Sequence, residues 1–311
     1  MRGQMLRYLL YKLWSMLVTL FLIASLTFVI MKAIPGDPFT EDKALPPEIL
    51  NALMEHYGLN DSLPSQYVRY LKSIAQFDLG PSFKYPGRTV NDIISDGFPV
   101  SAVLGLEALL ISISFGVFLG SLAATYQNKW QDRMAMVLAI IGISVPSFIT
   151  ATILQYIFSI KLSLFPVARW GTFAHSVLPA ISLAMLPMAF IARLTRASML
   201  EVMSQDYIRT AKAKGLTPVK ILYRHALRNA ILPVISYIGP LAAGILTGTF
   251  IIERIFGIPG LGQWLVTSIS NRDYTIITGI TLFYSAILLG AICFVDVLYG
   301  WVDPRIKIKD S

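Results

Sequence analysis

Apolar residues recur along most of the chain in runs long enough to cross a lipid bilayer, separated by short polar stretches. A bilayer core needs about 20 mostly apolar residues per helix, because lipid offers no partner to a backbone that does not bond to itself. By that ruler the sequence predicts six spans, at residues 9–31, 101–127, 134–160, 176–192, 230–252 and 274–300. The fourth is short, and Pro179 and Pro187 interrupt its hydrogen-bond ladder, so a kink or support from a neighbouring helix is expected there. The first run follows Arg2, Arg7 and Lys12 in the manner of a signal peptide. It is longer than a signal-peptide core, however, and Lys32-Ala33-Ile34-Pro35 is no small-residue cleavage site, so it is expected to stay in the mature protein.

Two connecting stretches carry patterns of their own. After the first span, Pro46-Pro47-Glu48 opens a helical run with apolar Ile49, Leu50, Leu53, Met54 and Tyr57, which Gly58 ends. Tyr67, Tyr70, Leu71 and Ile74 repeat the spacing, so two short amphipathic helices are predicted, serving either as a structural cap or as a docking surface. Between the fourth and fifth spans, Asp206 is placed to cap a helix running through Ile208, Ala211 and Ala213 to Gly215. A second run at 218–229 carries Lys220, Arg224 and Arg228 and leads into Ala230-Ile231-Leu232-Pro233. Such helices suit either a resting place among lipid headgroups or a push from another protein.

Composition agrees with the pattern. Of 311 residues only 14% are charged, against about 25% in soluble domains, too few to clothe a water-facing surface. Mean hydropathy is +0.63. A net charge of +8 would otherwise suggest nucleic acid, but its placement follows topology. With an inside N-terminus, the inside tails and loops, counting Lys12, hold 16 of the 26 Lys and Arg, and the longer outside loops hold 10. The positive-inside rule then puts both termini in the cytoplasm and removes nucleic acid as a partner. Cys293 is the only cysteine, so the chain alone builds no disulfide and no thiolate metal cluster.

The chemistry of an enzyme is missing. There is no Gly-x-x-x-x-Gly-Lys-Ser/Thr phosphate loop, no His-Glu-x-x-His motif, and the three histidines, His56, His175 and His225, are dispersed. No metal or cofactor is therefore expected on this chain. Intramembrane charge is scarce: Glu107 falls in the second span and Asp296 near the inner end of the sixth, where a carboxylate costs about 2.5 to 3.5 kcal/mol on insertion scales. Asp296 reads as an interfacial anchor; for Glu107 a structural hydrogen bond and a lining of a transport path both stand. Gly116-x-x-x-Gly120 and Gly244-x-x-x-Gly248 let helix backbones approach closely, within the chain or across a dimer.

The cytoplasmic loop carries a family resemblance. The stretch Asp206-Tyr207-Ile208-Arg209-Thr210-Ala211-Lys212-Ala213-Lys214-Gly215, followed by Asn229-Ala230-Ile231-Leu232-Pro233, resembles the coupling-loop motif of ABC-importer permeases. In that motif Glu-Ala-Ala, three residues, Gly and nine residues precede Ile-x-Leu-Pro. Arg209 and Thr210 stand at the Glu and first Ala positions, while Ala211 and Gly215 match. Fifteen residues separate Gly215 from Ile231, and none separates Ile231 from Leu232. The Arg-Thr-Ala form is similar to the peptide-permease branch. Ile34-Pro35-Gly36-Asp37-Pro38, Asp78-Leu79-Gly80-Pro81-Ser82-Phe83, Ser144-Val145-Pro146-Ser147-Phe148, Phe256-Gly257-Ile258-Pro259-Gly260-Leu261-Gly262, Arg272-Asp273-Tyr274 and Asp303-Pro304-Arg305 extend the likeness to the first permease subunit of oligopeptide and dipeptide importers.

The resemblance implies an all-α, six-span membrane subunit of the type I importer kind: a tail and first helix at 1–31, an extracytoplasmic segment at 32–100, a five-helix core at 101–300 with a coupling loop at 193–229, and a cytoplasmic tail at 301–311. It implies a prokaryotic cytoplasmic membrane and, as partners, a second related permease, two ATP-binding subunits that hold ATP and Mg, and an extracytoplasmic peptide-binding protein. Arg209, Thr210, Ala211 and Gly215 would couple to an ATPase, and Glu253, Pro259, Gly260 and Asp273 would lie at an outer gate or docking surface. Oligopeptides are the implied cargo, with dipeptides, nickel or another small ligand as alternatives. A stand-alone secondary transporter would need no ATPase and should show inverted repeats, which are not seen.

Overall fold

The computed structural model describes residues 2–34, 39, 47–247 and 250–302. Asp37, Gly248 and residues 303–305 fall outside them, as does the side chain of Asp296. In chain order the helices are α1 (Arg2–Ala33), α2 (Pro47–His56), α3 (Leu63–Ala75), α4 (Val90–Thr125), α5 (Trp130–Ser144), α6 (Ser147–Leu154), α7 (Phe173–Met203), α8 (Asp206–Ala213), α9 (Pro218–Lys220), α10 (Leu227–Ala230), α11 (Leu232–Thr247), α12 (Phe250–Phe256), α13 (Leu261–Ser270) and α14 (Tyr274–Val302). Among the described residues, four helices are long and apolar enough to cross a membrane: α1 from Leu10, α4, α7 and α14.

The predicted span at 134–160 needs correction. It is α5 and α6, bent by 106° at Val145 and Pro146, with α6 running on into a π-helical turn at Gln155–Lys161. Proline explains the bend: Pro146 has no N–H to donate and pushes the residue before it out of the helical region, and Val145 sits at φ −91°, ψ 120°. The predicted span at 230–252 contains α11 and the start of α12, on either side of residues 248 and 249, which lie outside the described residues. The predicted short span at 176–192 is instead the interior of the 31-residue α7, with Pro179 and Pro187 buried inside it. Ser112 of α4, whose hydroxyl is 2.6 Å from the Ala108 carbonyl of its own helix, also lies 3.2 Å from the Ala184 carbonyl of α7, a contact between the two helices one turn before Pro187. At the start of α7 the Thr172 N–H donates to His175 Nδ1 at 3.2 Å, so this histidine caps a helix.

The chain forms two compact units, each with its own core. One comprises residues within 1–100 and 260–289, the other residues within 101–259 and 290–311. In the first, Val90, Ile93, Leu261, Ile276, Ile280 and Tyr284 form a buried cluster. Helix α3 is held against α1 by a 2.6 Å hydrogen bond between the Tyr67 and Ser25 hydroxyls and by stacking of Phe28 on Tyr70. Both amphipathic helices predicted after the first span are present, as α2 and α3.

In the second unit, Ala108, Ala184, Ile191, Val234, Leu241 and Ile245 form the core. The Gly116-x-x-x-Gly120 stripe is spent there: a Cβ at Gly116 would stand 2.8 Å from Ile191, and one at Gly120 2.5 Å from the Ala192 carbonyl oxygen. The stripe therefore serves contact between α4 and α7 within the chain. A buried ion pair joins α5 to α7, with Arg196 Nε 2.6 Å and Nη2 2.8 Å from the two carboxylate oxygens of Asp132. The Asn128 N–H adds a third bond to Asp132, closing the turn that leads into α5.

Breaking a buried pair by removing one partner leaves an uncompensated charge, whereas replacing both by apolar groups is often close to neutral. Because the Arg196 side chain is partly exposed, Asp132→Leu or Arg196→Met alone is expected to cost about 1 to 2 kcal/mol, between the values for exposed and fully buried pairs. The double variant should lose less than either single one, measured by thermal unfolding in detergent.

Candidate functional site

Helix α8 is amphipathic along its whole length. Ile208, fully buried, and Ala211 face inward onto Met199 of α7 and Ala124 of α4, and Ile221, Ala226 and Ala230 complete the cluster. Arg209, Thr210 and Lys212 lie on the opposite, exposed face. The predicted cap is displaced by one residue: Gln205 holds the N-cap position, while Asp206 begins the helix and pairs with Arg209 at 3.2 Å on the exposed face. The Asn229 side chain donates to the Tyr207 hydroxyl at 2.8 Å and ties α8 to the segment entering α11.

Gly215 ends this element for a conformational reason. Its φ is +73°, and a Cβ there would meet nothing within 4 Å. The Gly215 N–H bonds to the Lys212 carbonyl and the Leu216 N–H to the Ala211 carbonyl, which is the Schellman termination, with Leu216 packed on the cluster beneath. Of the four predicted coupling residues, Ala211 therefore anchors, Gly215 turns the chain, and Arg209 and Thr210 face out.

The other predicted residues are distributed differently. Glu253 is fully buried and accepts a hydrogen bond from the Ser101 hydroxyl at 2.6 Å. Pro259 is exposed; Gly260 is buried and caps α13, where a Cβ at Gly97 would stand 3.1 Å from the Leu261 backbone. Glu107 is partly buried, and its Oε2 has no hydrogen-bond partner among the described residues.

Asp273 is fully buried and acts as a staple. Its Oδ2 accepts from the Ser82 hydroxyl and from the N–H groups of Phe83 at 3.1 Å and Lys84 at 3.2 Å. Its Oδ1 accepts from the Ile276 N–H at 3.3 Å, capping α14. The sequence reading missed Ser82 and the Asp132–Arg196 pair. Asp273 immediately before an apolar run was itself a readable N-cap signal, but nothing local in the sequence reports a partner nearly two hundred positions away.

Several helices long and apolar enough to cross a membrane, with a broken helix pair and a short amphipathic helix packed on α4 and α7, define a multi-pass membrane protein. The architecture is shared with a chain of the inward-facing MetNI methionine ABC transporter, with a TM-score of 0.57 at 17% identity over 68% of this chain and 96% of that one. This chain belongs to the family of binding-protein-dependent transport system inner membrane components, matched over residues 116–308, with that family's N-terminal component matched over residues 5–105. It is 52% identical to the dipeptide transport system permease protein DppB of Bacillus subtilis, over 98% of this chain and 99% of that protein. It is 43% identical to the oligopeptide transport system permease protein OppB of Salmonella typhimurium, over 97% of this chain and 100% of that one.

Removing the Asp273 carboxylate would leave several buried donors unmatched, so Asp273→Ala is expected to destabilise by about 3 kcal/mol. Ser82→Ala should cost about 1 kcal/mol alone and little more on top of Asp273→Ala, because the two share one network. Unfolding midpoints of the single and double variants check this.

Proposed function

We propose that this chain is the permease subunit through which an ATP-driven importer carries peptides across the cytoplasmic membrane of a prokaryote, with both termini inside. The near full-length 52% identity to a dipeptide permease protein carries this reading. The exposed Arg209–Thr210 face of α8 supports it as the surface that docks on an ATPase. Hydrolysis belongs to two partner ATPases holding ATP and Mg, a second permease completes the path, and an extracytoplasmic binding protein delivers the cargo. Oligopeptides are the proposed cargo, and the same identity favours dipeptides as the second reading.

The geometry suggests how a push would be transmitted. Because Ile208 and Ala211 are packed on α4 and α7, a displacement of α8 cannot occur without moving the ends of those helices. Shifting a two-state permease from 1:99 to 99:1 requires about 5.5 kcal/mol of differential binding, which closure of an ATPase pair on nucleotide would have to supply. Glu253, Pro259, Gly260 and Asp273 are assigned to the outer gate region. Glu253 and Asp273 are each buried within their own unit, and Pro259 is exposed.

The reading is tested by expressing the chain with its neighbouring transporter genes in a host lacking peptide permeases and following uptake of labelled di-, tetra- and hexapeptides, with nickel as the contrasting cargo. Nickel uptake without peptide uptake overturns it. A β-branched residue at φ +73° is strained by about 1 to 2 kcal/mol, whereas Asn tolerates that region. Gly215→Val should therefore lower peptide imported per ATP hydrolysed about fivefold or more at normal membrane level, and Gly215→Asn should retain most of it. Full coupling in Gly215→Val would remove α8 from the coupling role.

A further inference from the structure

Helix α8 rests on the ends of α4 and α7, and both are tied to α5 within about a turn of the point where it sits. Ala124 of α4 and Met199 of α7 lie in the cluster beneath Ile208 and Ala211. One turn before Met199, Arg196 grips Asp132 of α5 with Nε at 2.6 Å and Nη2 at 2.8 Å from the two carboxylate oxygens. One turn before Ala124, Gly120 stands where a Cβ would be 2.5 Å from the Ala192 carbonyl oxygen, 2.6 Å from Thr195 Cβ and 3.1 Å from the Arg196 backbone nitrogen. Helix α4 therefore touches α7 at the turn that carries the guanidinium. Among the described residues, none of α5 belongs to the cluster under α8. Its links to that seat run through α7 and through the turn from α4.

The Asp132 carboxylate controls both links. In the turn between α4 and α5, Asn128 holds φ +63°, a left-handed conformation that asparagine tolerates, and its N–H donates to Asp132 Oδ2 at 2.9 Å. The Lys129 N–H donates to the Tyr126 carbonyl at 2.9 Å and tightens the same turn. One carboxylate thus receives donors from the turn and from α7, which closes a ring of contacts through α4, α5 and α7. A two-pronged guanidinium–carboxylate contact is directional, so it holds one register between the helices that carry it. Apolar packing is not directional, and helices in contact through it can slide by small shear motions.

Resting on the reading of α8 as the surface an ATPase pushes, we propose that Asp132 and Arg196 are positioning residues for coupling. They keep α5 in register with α4 and α7, so that a displacement of α8 carries all three helix ends as one body. Without the pair, α4 and α7 follow α8 while α5 lags, and ATP is hydrolysed with little import. This role is separable from stability, because an apolar pair of similar volume can replace a buried ion pair energetically without restoring its direction.

The transporter, reconstituted with its partner subunits into proteoliposomes, is assayed for labelled dipeptide accumulated per ATP hydrolysed. Asp132→Asn is expected to lower that ratio about fivefold, within the range by which residues of a coupled network alter coupling. Asp132→Leu/Arg196→Met should unfold at a higher temperature than either single variant yet keep the low ratio. Spin labels at Arg133→Cys on α5 and Glu201→Cys on α7, both exposed positions, in a Cys293→Ser background report the register directly. Their separation is expected to stay constant on adding ATP with the pair intact, and to shift or broaden on adding ATP in Asp132→Asn and in the apolar double variant. A wild-type import ratio in the apolar double variant overturns the proposal, as does a label separation that ATP leaves unchanged in it. Gly215→Val separates the two levels: full coupling there overturns the α8 reading and this proposal with it, whereas uncoupling there beside full coupling in Asp132→Asn overturns this proposal alone.

Discussion

Inside a bilayer a backbone N–H or C=O has no water to turn to, and the other features of this chain follow from how it meets that requirement. Long helices satisfy it along most of the sequence. Carbonyls also accept side-chain donors: Ser112 lies 3.2 Å from the carbonyl of Ala184, and Gln155 in the π-helical turn after α6 donates to the carbonyls of Val167 at 2.7 Å and Ile255 at 3.3 Å. The sharp bend at Pro146 is followed by a new helix with its own ladder.

The same constraint governs charge. Asp132 is neutralised by a two-pronged guanidinium contact, Asp273 by a cluster of N–H and hydroxyl donors, and the buried Glu253 accepts a hydroxyl from Ser101. Buried carboxylates of this kind tie together segments distant in sequence, which gives them a structural role even where the family resemblance placed them near a gate. Helix α8 differs. Only its apolar half is claimed by the protein, and its charged half is left facing outward with a weak exposed pair, Asp206–Arg209. That outward half is the face proposed to dock on an ATPase.

Several resemblance-bearing motifs acquire a physical meaning once folded. The Ser82-Phe83 stretch and Asp273, read separately along the chain, meet as donor loop and acceptor carboxylate. The break at Ser144-Val145-Pro146 turns out to be the bend in a helix that hydropathy alone had drawn as continuous. Helix α7 is longer than the short span that its two prolines suggested, and both prolines are buried inside it.

Hydropathy and charge placement were sufficient by themselves for an all-helical membrane protein, for the approximate positions of its apolar helices, and for the amphipathic helix ending at Gly215, because each depends on residues within a few turns of one another. Tertiary structure decided the rest: that Gly116 and Gly120 serve packing within the chain, that Asp132 answers Arg196, and that Asp273 accepts from Ser82. Those facts rest on contacts between residues tens to nearly two hundred positions apart, and a local pattern contains no record of which distant helix will bring a matching donor or acceptor within 3 Å.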